Sequence, residues 1–146
     1  MSQRHPIQSS FPMLITTNIQ GRKDIFFDPA AARIAVESLY QIQAHYPFFL
    51  FGFVIMPDHC HILMNVPEGG SVSKTIGIYK RAVSFNIGRG PIWQSRFHIR
   101  LAREPWLALK YIHQNPVKAE LCVTPQDYPW SLASGRWDVV SLNDYQ

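Results

Sequence analysis

The sequence is poor in cysteine, in long apolar runs and, over much of its second half, in acidic residues. Its two cysteines, Cys60 and Cys122, form neither a disulfide framework nor a C-x-x-C pair, so we expect reduced thiols and a cytoplasmic protein. The longest apolar run, Phe48–Met56, has nine residues and is too short to span a bilayer. Met1–Pro12 lacks the apolar segment of a signal peptide. These scarcities disfavour a disulfide-rich secreted protein and a helical membrane protein.

Acidic residues are scarce where basic residues concentrate. Residues 1–70 hold four Lys or Arg and five Asp or Glu, whereas residues 71–136 hold ten Lys or Arg and three Asp or Glu. A basic half beside a near-neutral half favours a polyanionic partner, although a merely solvated basic face explains the charge equally well. At 146 residues we expect one domain over 1–146, with its core at about 10–135 and irregular termini.

The apolar periodicity predicts the element order β-α-β-β-α-β-α. This order is typical of a ferredoxin-like antiparallel sheet of the α+β class with an additional C-terminal helix. Pro116 is expected to end that last helix, and one short helix is expected near Leu132. The predicted strands are Met13–Ile19, Phe48–Met56, Cys60–Val66 and Ser95–Arg103, and the predicted helices run from Asp28 to about His45, from Ser71 to Ile87 and from Glu104 to about Asn115.

Two histidines at i and i+2 lie at the entry to the third predicted strand. Side chains alternate along a strand, so His59 and His61 share one face, with Cα atoms about 6.5–7 Å apart. Two imidazoles at that separation can bind one cation. The opposite face carries Cys60, Ile62 and Met64, which suit a core. Two partly buried histidines without a metal fit the H-x-H pattern equally well.

The last predicted helix carries a tyrosine and an amide on one face. Tyr111 and Asn115 are four residues apart and therefore neighbours on the helix surface. Leu109 and Ile112 lie toward another face and can be buried. The helix can hold Tyr111 and Asn115 together above the histidine pair, although a lone tyrosine is more often a half-buried aromatic than a nucleophile.

Three segments together resemble a known family. MPDHCHIL, IWQSRFHIRLAR and LKYIHQNPVKAEL with PQDYPWSLASG are similar to the single-tyrosine HUH transposases of the IS200-like group, and most similar to the REP-associated tyrosine transposase branch. The resemblance covers about 10–135 and implies a ferredoxin-like nuclease domain. It places the HUH histidines on His59 and His61 and the nucleophile on Tyr111. The chain departs from the family in having Cys60 between the histidines and a short segment between Ile87 and Trp93.

The resemblance implies a metal-dependent single-stranded DNA endonuclease and strand transferase with a 5′-phosphotyrosine intermediate. His59, His61 and Asn115 are the metal ligands that it implies, and mixed nitrogen and oxygen ligation suits Mn²⁺ and tolerates Mg²⁺. The expected partner is single-stranded or hairpin DNA in the nucleoid, with no membrane. The sequence leaves open whether the protein is a monomer or a homodimer, and which group accepts the proton of Tyr111.

The basic half supplies candidate DNA contacts. Cationic side chains bind phosphates, and aromatic rings can stack on bases. Arg96, His98 and Arg100 alternate with apolar residues, so we expect one cationic strand face. The candidate DNA-binding residues are Lys74, Lys80, Arg81, Arg89, Trp93, Arg96, Arg100, Arg103 and Lys110.

Two other functions remain open from the sequence. One is a zinc hydrolase in which the H-x-H pair takes a third ligand such as His113 or Cys122, although no H-E-x-x-H helix is present. The other is a nucleic-acid-binding module that has lost catalysis, although each chemical group of the transposase is present. A metal analysis and a cleavage assay separate the three.

Overall fold

A single antiparallel sheet organises the protein. The structure is a computed structural model that describes residues 11–138. The predicted termini at 1–10 and 139–146 lie outside the described residues. The strands are ordered β2-β3-β1-β4, and each neighbouring pair is antiparallel. The strands are β1 (Met13–Asn18), β2 (Phe49–Met56), β3 (His59–Asn65) and β4 (His98–Leu101).

Two helices cover one face of the sheet. α1 (Pro29–His45) begins after Asp28, whose side chain accepts a hydrogen bond from the Ala30 N–H at 3.0 Å. α2 (Val72–Ile87) begins after Ser71, whose hydroxyl accepts from the Lys74 N–H at 3.2 Å. Both are N-caps of the expected kind. The two helices bury apolar residues against the sheet. The order of the elements along the chain and the order of the strands in the sheet confirm the predicted ferredoxin-like α+β fold.

A third helix crosses the other face. α3 (Pro105–Lys118) packs against Leu14, Phe51 and Leu63 of the sheet. A side chain at Gly52 would collide with the Leu109 side chain, so the glycine permits the close approach of α3 to β2. The strand register shifts between Leu50 and Gly52 as β2 passes beneath the helix. α3 is the element that carries Tyr111 onto the sheet.

The prediction that Pro116 ends α3 was wrong. Proline lacks the N–H that would bond to the carbonyl four residues back, yet Pro116 is buried inside α3 and the helix continues to Lys118. The Ala119 N–H donates to the Asn115 carbonyl at 3.1 Å, and the Leu121 N–H donates to the Pro116 carbonyl at 2.9 Å. Asn115 is therefore helical, and its side chain projects from a regular helix face.

Two further segments differ from the sequence prediction. β4 is limited to His98–Leu101, because Trp93 before it forms only an isolated bridge with Ile19. The helix expected near Leu132 is a single 3₁₀ turn, Leu132–Ser134. Within residues 11–138, no helix is long and apolar enough to cross a membrane.

Candidate active site

The histidine pair lies on the face of β3 that α3 covers. The rings of His59 and His61 are 4.8 Å apart between centroids and almost perpendicular, at 78°. His61 is buried, with 5% of its surface exposed, and His59 is half-buried. Cys60 and Ile62 point to the opposite face and are fully buried in the core. The alternation expected from the sequence therefore holds, and the two imidazoles meet at one point of the sheet surface.

Neighbouring side chains engage the Nδ1 atom of each histidine. The Nδ1 of His59 lies 2.7 Å from Asp58 Oδ1, and Arg22 Nε donates to Asp58 Oδ2 at 3.0 Å. An ionised carboxylate only accepts hydrogen bonds, so His59 Nδ1 carries the proton in this pair. The Nδ1 of His61 lies 2.9 Å from the Thr16 hydroxyl oxygen. These contacts leave both Nε2 atoms free to bind a cation, with outer-shell partners of the kind that metal-binding histidines have.

The electrostatic environment keeps His61 neutral. Burial lowers its pKa to about 4, and the nearby charges of His59, Arg100 and Arg22 act in the same direction. Burial raises the pKa of Asp58, but the hydrogen bonds from His59 and Arg22 outweigh it, so this pKa lies below its usual value. At neutral pH the site therefore contains a neutral imidazole beside an ionised carboxylate. A neutral imidazole is the form that binds metals.

Tyr111 lies directly over His61. Their ring centroids are 5.4 Å apart, and Tyr111 is 41% exposed. The two side chains line a cavity of about 350 Å³ together with Thr16, His98 and Arg100. Tyr111 and Arg100 are both exposed, so the cavity reaches the protein surface.

Two other tyrosines that could compete as nucleophiles have structural roles. The Tyr79 hydroxyl is buried and donates to the Ala35 carbonyl at 2.8 Å. The Tyr128 hydroxyl is also buried and donates to the Ile55 carbonyl at 2.6 Å. Burial raises the pKa of both phenols. Neither hydroxyl is available to a substrate.

The amide of Asn115 has an unusual environment. Its Oδ1 is buried and has no hydrogen-bond partner among residues 11–138. Leu109 packs at Gly52 and Tyr111 packs at His61, so α3 runs toward the start of β3. Asn115 follows Tyr111 by about one helical turn, or about 6 Å along the helix axis. A buried oxygen without a partner at that position suits a metal ligand.

One additional ligand of the zinc-hydrolase interpretation, His113, lines a different cavity. Its neighbours there include Trp106, Lys110 and Gln126. Across the described part of the chain, no group of three or more His, Cys, Asp or Glu side chains is placed to hold a metal. A structural or catalytic zinc site needs at least three such protein ligands. The described residues therefore offer no such group for the zinc site considered as an alternative.

The expected DNA-binding residues fall into two groups. Most are exposed, and Arg96, His98 and Arg100 form the predicted cationic row on β4 and just before it. Trp93 and Lys80 differ from the prediction, because the Trp93 indole is buried and donates to the Lys80 carbonyl at 2.9 Å. The exposed members are Lys74, Arg81, Arg89, Arg96, Arg100, Arg103 and Lys110.

Trp93 is therefore a packing residue and not a free stacking platform. Its ring contacts Phe26 at 5.6 Å and Tyr79 at 6.3 Å between centroids. Lys80 is half-buried, donates to the Gln94 carbonyl at 2.8 Å and has a pKa lowered by burial. Both side chains hold the segment before β4 against α2. Sequence reasoning could not anticipate this, since the contacts join residues 13 and 14 positions apart.

Several site residues were absent from the sequence prediction. Thr16 pairs with His61 through the β1–β3 register, and Arg22 reaches Asp58 from a turn after β1. His98 lines the same cavity as Tyr111. Only Asp58 and His98 had a sequence signal, Asp58 by adjoining the H-x-H pair and His98 by alternating with two arginines.

Comparison with known proteins gives the family. A family model described as IS200-like transposase matches residues 10–104, well over half of the chain. The chain belongs to the IS200-like transposase family. The matched range includes both histidines and ends before α3. The resemblance found in the sequence is thereby confirmed.

The chain is similar to two curated REP-associated tyrosine transposases. A candidate REP-associated tyrosine transposase of Haemophilus influenzae is 35% identical over 105 residues, covering 60% of this chain and 60% of that protein. The REP-associated tyrosine transposase of Escherichia coli is 29% identical over 98 residues, covering 64% and 59%. The match thus spans about 60% of the length of each relative.

Solved structures share the fold. One shows a REP-associated tyrosine transposase bound to a REP hairpin, with a TM-score of 0.75 and 23% identity, over 100% of this chain and 94% of that one. Another shows a candidate transposase of Deinococcus radiodurans, with a TM-score of 0.57 and 14% identity, over 82% of this chain and 98% of that one. At these identities the likeness concerns the fold.

Proposed function

We propose that this IS200-like transposase chain nicks and transfers single strands of hairpin-forming DNA through Tyr111. The observation that carries the proposal is the accessible Tyr111 hydroxyphenyl ring over His61, in a cavity that also contains Arg100. Arg100 is placed to bind the scissile phosphate and orient it toward Tyr111. The exposed cationic row before and along β4 would extend this contact along the strand.

The covalent step follows from the chemistry of a phenol. The Tyr111 oxygen attacks the phosphorus and its proton passes to the solvent to which the ring is open. The bond from phosphorus to the 3′-oxygen breaks, and the leaving 3′-oxygen takes up a proton from solvent. The products are a 5′-phosphotyrosine and a free 3′-hydroxyl, so the energy of the phosphodiester is kept for rejoining. No nucleotide cofactor is needed for either step.

His59, His61 and Asn115 are the residues that would hold a divalent Mg²⁺ or Mn²⁺. Three features support them: Nδ1 contacts that leave both Nε2 atoms free, a neutral His61, and a buried Asn115 oxygen without a partner among the described residues. Such an ion supplies charge neutralisation at the phosphate. Asp58 and Thr16 act by fixing the orientation of the two imidazoles.

Hairpin DNA is the proposed substrate class. The solved REP-associated tyrosine transposase with the same fold is bound to a REP hairpin. In this chain, residues 71–103 contain seven Lys or Arg and no Asp or Glu, so the β4 side of the molecule suits a nucleic acid.

A denaturing gel tests the proposal. Wild-type protein with labelled hairpin DNA and Mn²⁺ should yield a covalent adduct that resists boiling, and Tyr111→Phe should yield none. The Phe variant should still bind the DNA, because it keeps the ring against His61. DNA binding without any wild-type adduct would instead favour the binding module that has lost catalysis.

A further inference from the structure

A second cavity lies outside the catalytic site. It is a groove of about 610 Å³ between the outer face of α2 and the segment that leads into β4. Most of its wall is apolar and formed by Phe85, Pro91, Ile92, Trp93 and Phe97. Nothing in the catalytic proposal uses it.

Phe85 is the most conspicuous feature of this groove. With 86% of its surface exposed, it is the most exposed large hydrophobic residue that the structure describes. It lies on α2 beside Arg81 and Ser84, at the mouth of the groove. With the apolar wall of the groove, the exposed ring forms one contiguous apolar surface, and such surfaces mark binding sites.

A glycine on α2 leaves space at the floor of the groove, because it has no side chain. Gly77 lies in the middle of α2, and a Cβ built there would meet only Arg81 Nη1, at 3.7 Å. The Arg81 guanidinium therefore lies close to this floor. A helix-interior glycine costs about 1 kcal/mol relative to alanine, and the space it leaves is part of the groove.

The charge around the groove selects an anionic ligand. Lys80 and Arg81 line it, and Arg96 follows the lining residue Ser95. An apolar slot with an exposed ring and cationic rims matches a nucleotide, whose base stacks while its phosphate pairs with a cation.

The residues that line the groove are followed along the chain by residues that line the catalytic cavity. Ser95 and Phe97 line the groove, and His98 and Arg100 line the cavity with Tyr111. β4 is an edge strand of the sheet, so a DNA strand can pass over it from one face to the other. The distance from Phe97 to Arg100 is about 10 Å along the strand, or roughly three stacked nucleotides.

We propose that this groove binds an unpaired nucleotide of the DNA substrate, with the base stacked on Phe85 and the phosphate on Arg81. The proposal rests on the proposed function and adds a second contact, a few nucleotides from the phosphate at Tyr111. This contact would hold the unpaired DNA beside the hairpin, while the catalytic cavity at Tyr111 holds the phosphodiester bond that reacts.

The probe is a DNA hairpin with an unpaired flank that carries 2-aminopurine at successive positions. Stacking quenches this base, so wild-type protein should quench it at one position, roughly three nucleotides from the nick. Phe85→Ala should remove the quenching and weaken binding roughly tenfold. The matched control is Phe27→Ala, because Phe27 is also exposed, at 71%, and does not line the groove.

A second pair of variants keeps the test independent of folding. Gly77→Leu fills the groove and replaces a poor helix former, so it should weaken binding while the melting temperature is kept or raised. Gly77→Ala should raise the melting temperature and retain most of the binding. Wild-type affinity and quenching in both Phe85→Ala and Gly77→Leu would overturn the proposal and assign the groove to another occupant, such as an acidic peptide.

Failure of this proposal is distinct from failure of the proposed function. The covalent adduct is scored with wild-type protein, whereas the groove is scored by quenching and affinity. If wild-type protein forms the adduct and the groove variants bind normally, only the groove assignment is wrong. If wild-type protein shows quenching at one position but forms no adduct, only the catalytic assignment is wrong.

Discussion

Replacing Asn115 by alanine should make the metal-free protein more stable while removing its response to metal. The buried Oδ1 has no partner among the described residues, and a buried unpaired acceptor costs about 1–3 kcal/mol. Alanine also has a higher helix propensity, by about 0.5 kcal/mol. Lost packing of the amide offsets part of both gains. A net stabilisation of about 1 kcal/mol follows, or a melting temperature higher by roughly 3–5 °C.

The assay is urea or thermal unfolding in EDTA and then in Mn²⁺. Asn86→Ala is the control, because Asn86 is an exposed asparagine in α2 that gains the same helix propensity and loses only a long hydrogen bond to Ser38 Oγ, at 3.4 Å. Wild-type protein should be stabilised by Mn²⁺ through mass action, and Asn115→Ala should not. The reasoning is refuted if Asn115→Ala destabilises the metal-free protein more than Asn86→Ala does, or if it keeps the full response to Mn²⁺.

Three further outcomes are expected. In EDTA, stability should fall as pH drops from about 6.5 toward 4, because burial lowers the pKa of His61 and the unfolded chain takes up a proton that the folded one resists. His61→Gln should remove about 3 kcal/mol of this dependence. Thr16→Val should weaken Mn²⁺ binding roughly tenfold or more in a calorimetric titration, and Thr16→Ser should restore it. The double variant Arg96→Ala with Arg100→Ala should change stability by less than about 0.5 kcal/mol per site. The slope of the logarithm of the DNA-binding constant against the logarithm of salt concentration should fall by about 0.7 per lost contact on single-stranded DNA. An unchanged slope with a lower melting temperature would assign these arginines to the fold.

The sequence contained enough information for the sheet and for the core of the site. Strand alternation places His59 and His61 on one face whatever the neighbours are, and the caps at Asp28 and Ser71 fix where two helices begin. Helical spacing likewise places Tyr111 and Asn115 together. These are local rules, and the structure follows them.

What could not be predicted depends on contacts between distant segments. Thr16 meets His61 only because β1 and β3 pair in one register across 45 residues. Trp93 looked available for stacking until its indole was placed against the α2 backbone. Pro116 is itself buried inside α3, and the packing of the helix on the sheet outweighs the hydrogen bond that proline cannot make. Tertiary packing overrides the local propensity in each case.

The most direct test of the central claim is the chemical identity of the protein–DNA linkage. Hairpin DNA labelled separately at its 5′ and 3′ ends is incubated with wild-type protein and Mn²⁺, and the adduct is digested and mapped by mass spectrometry. The account predicts that the nucleotide is on Tyr111 through a 5′-phosphate, and that the fragment labelled at its 5′ end is released with a free 3′-hydroxyl. An adduct on another residue, or a 3′-phosphate attached to the protein, would contradict it.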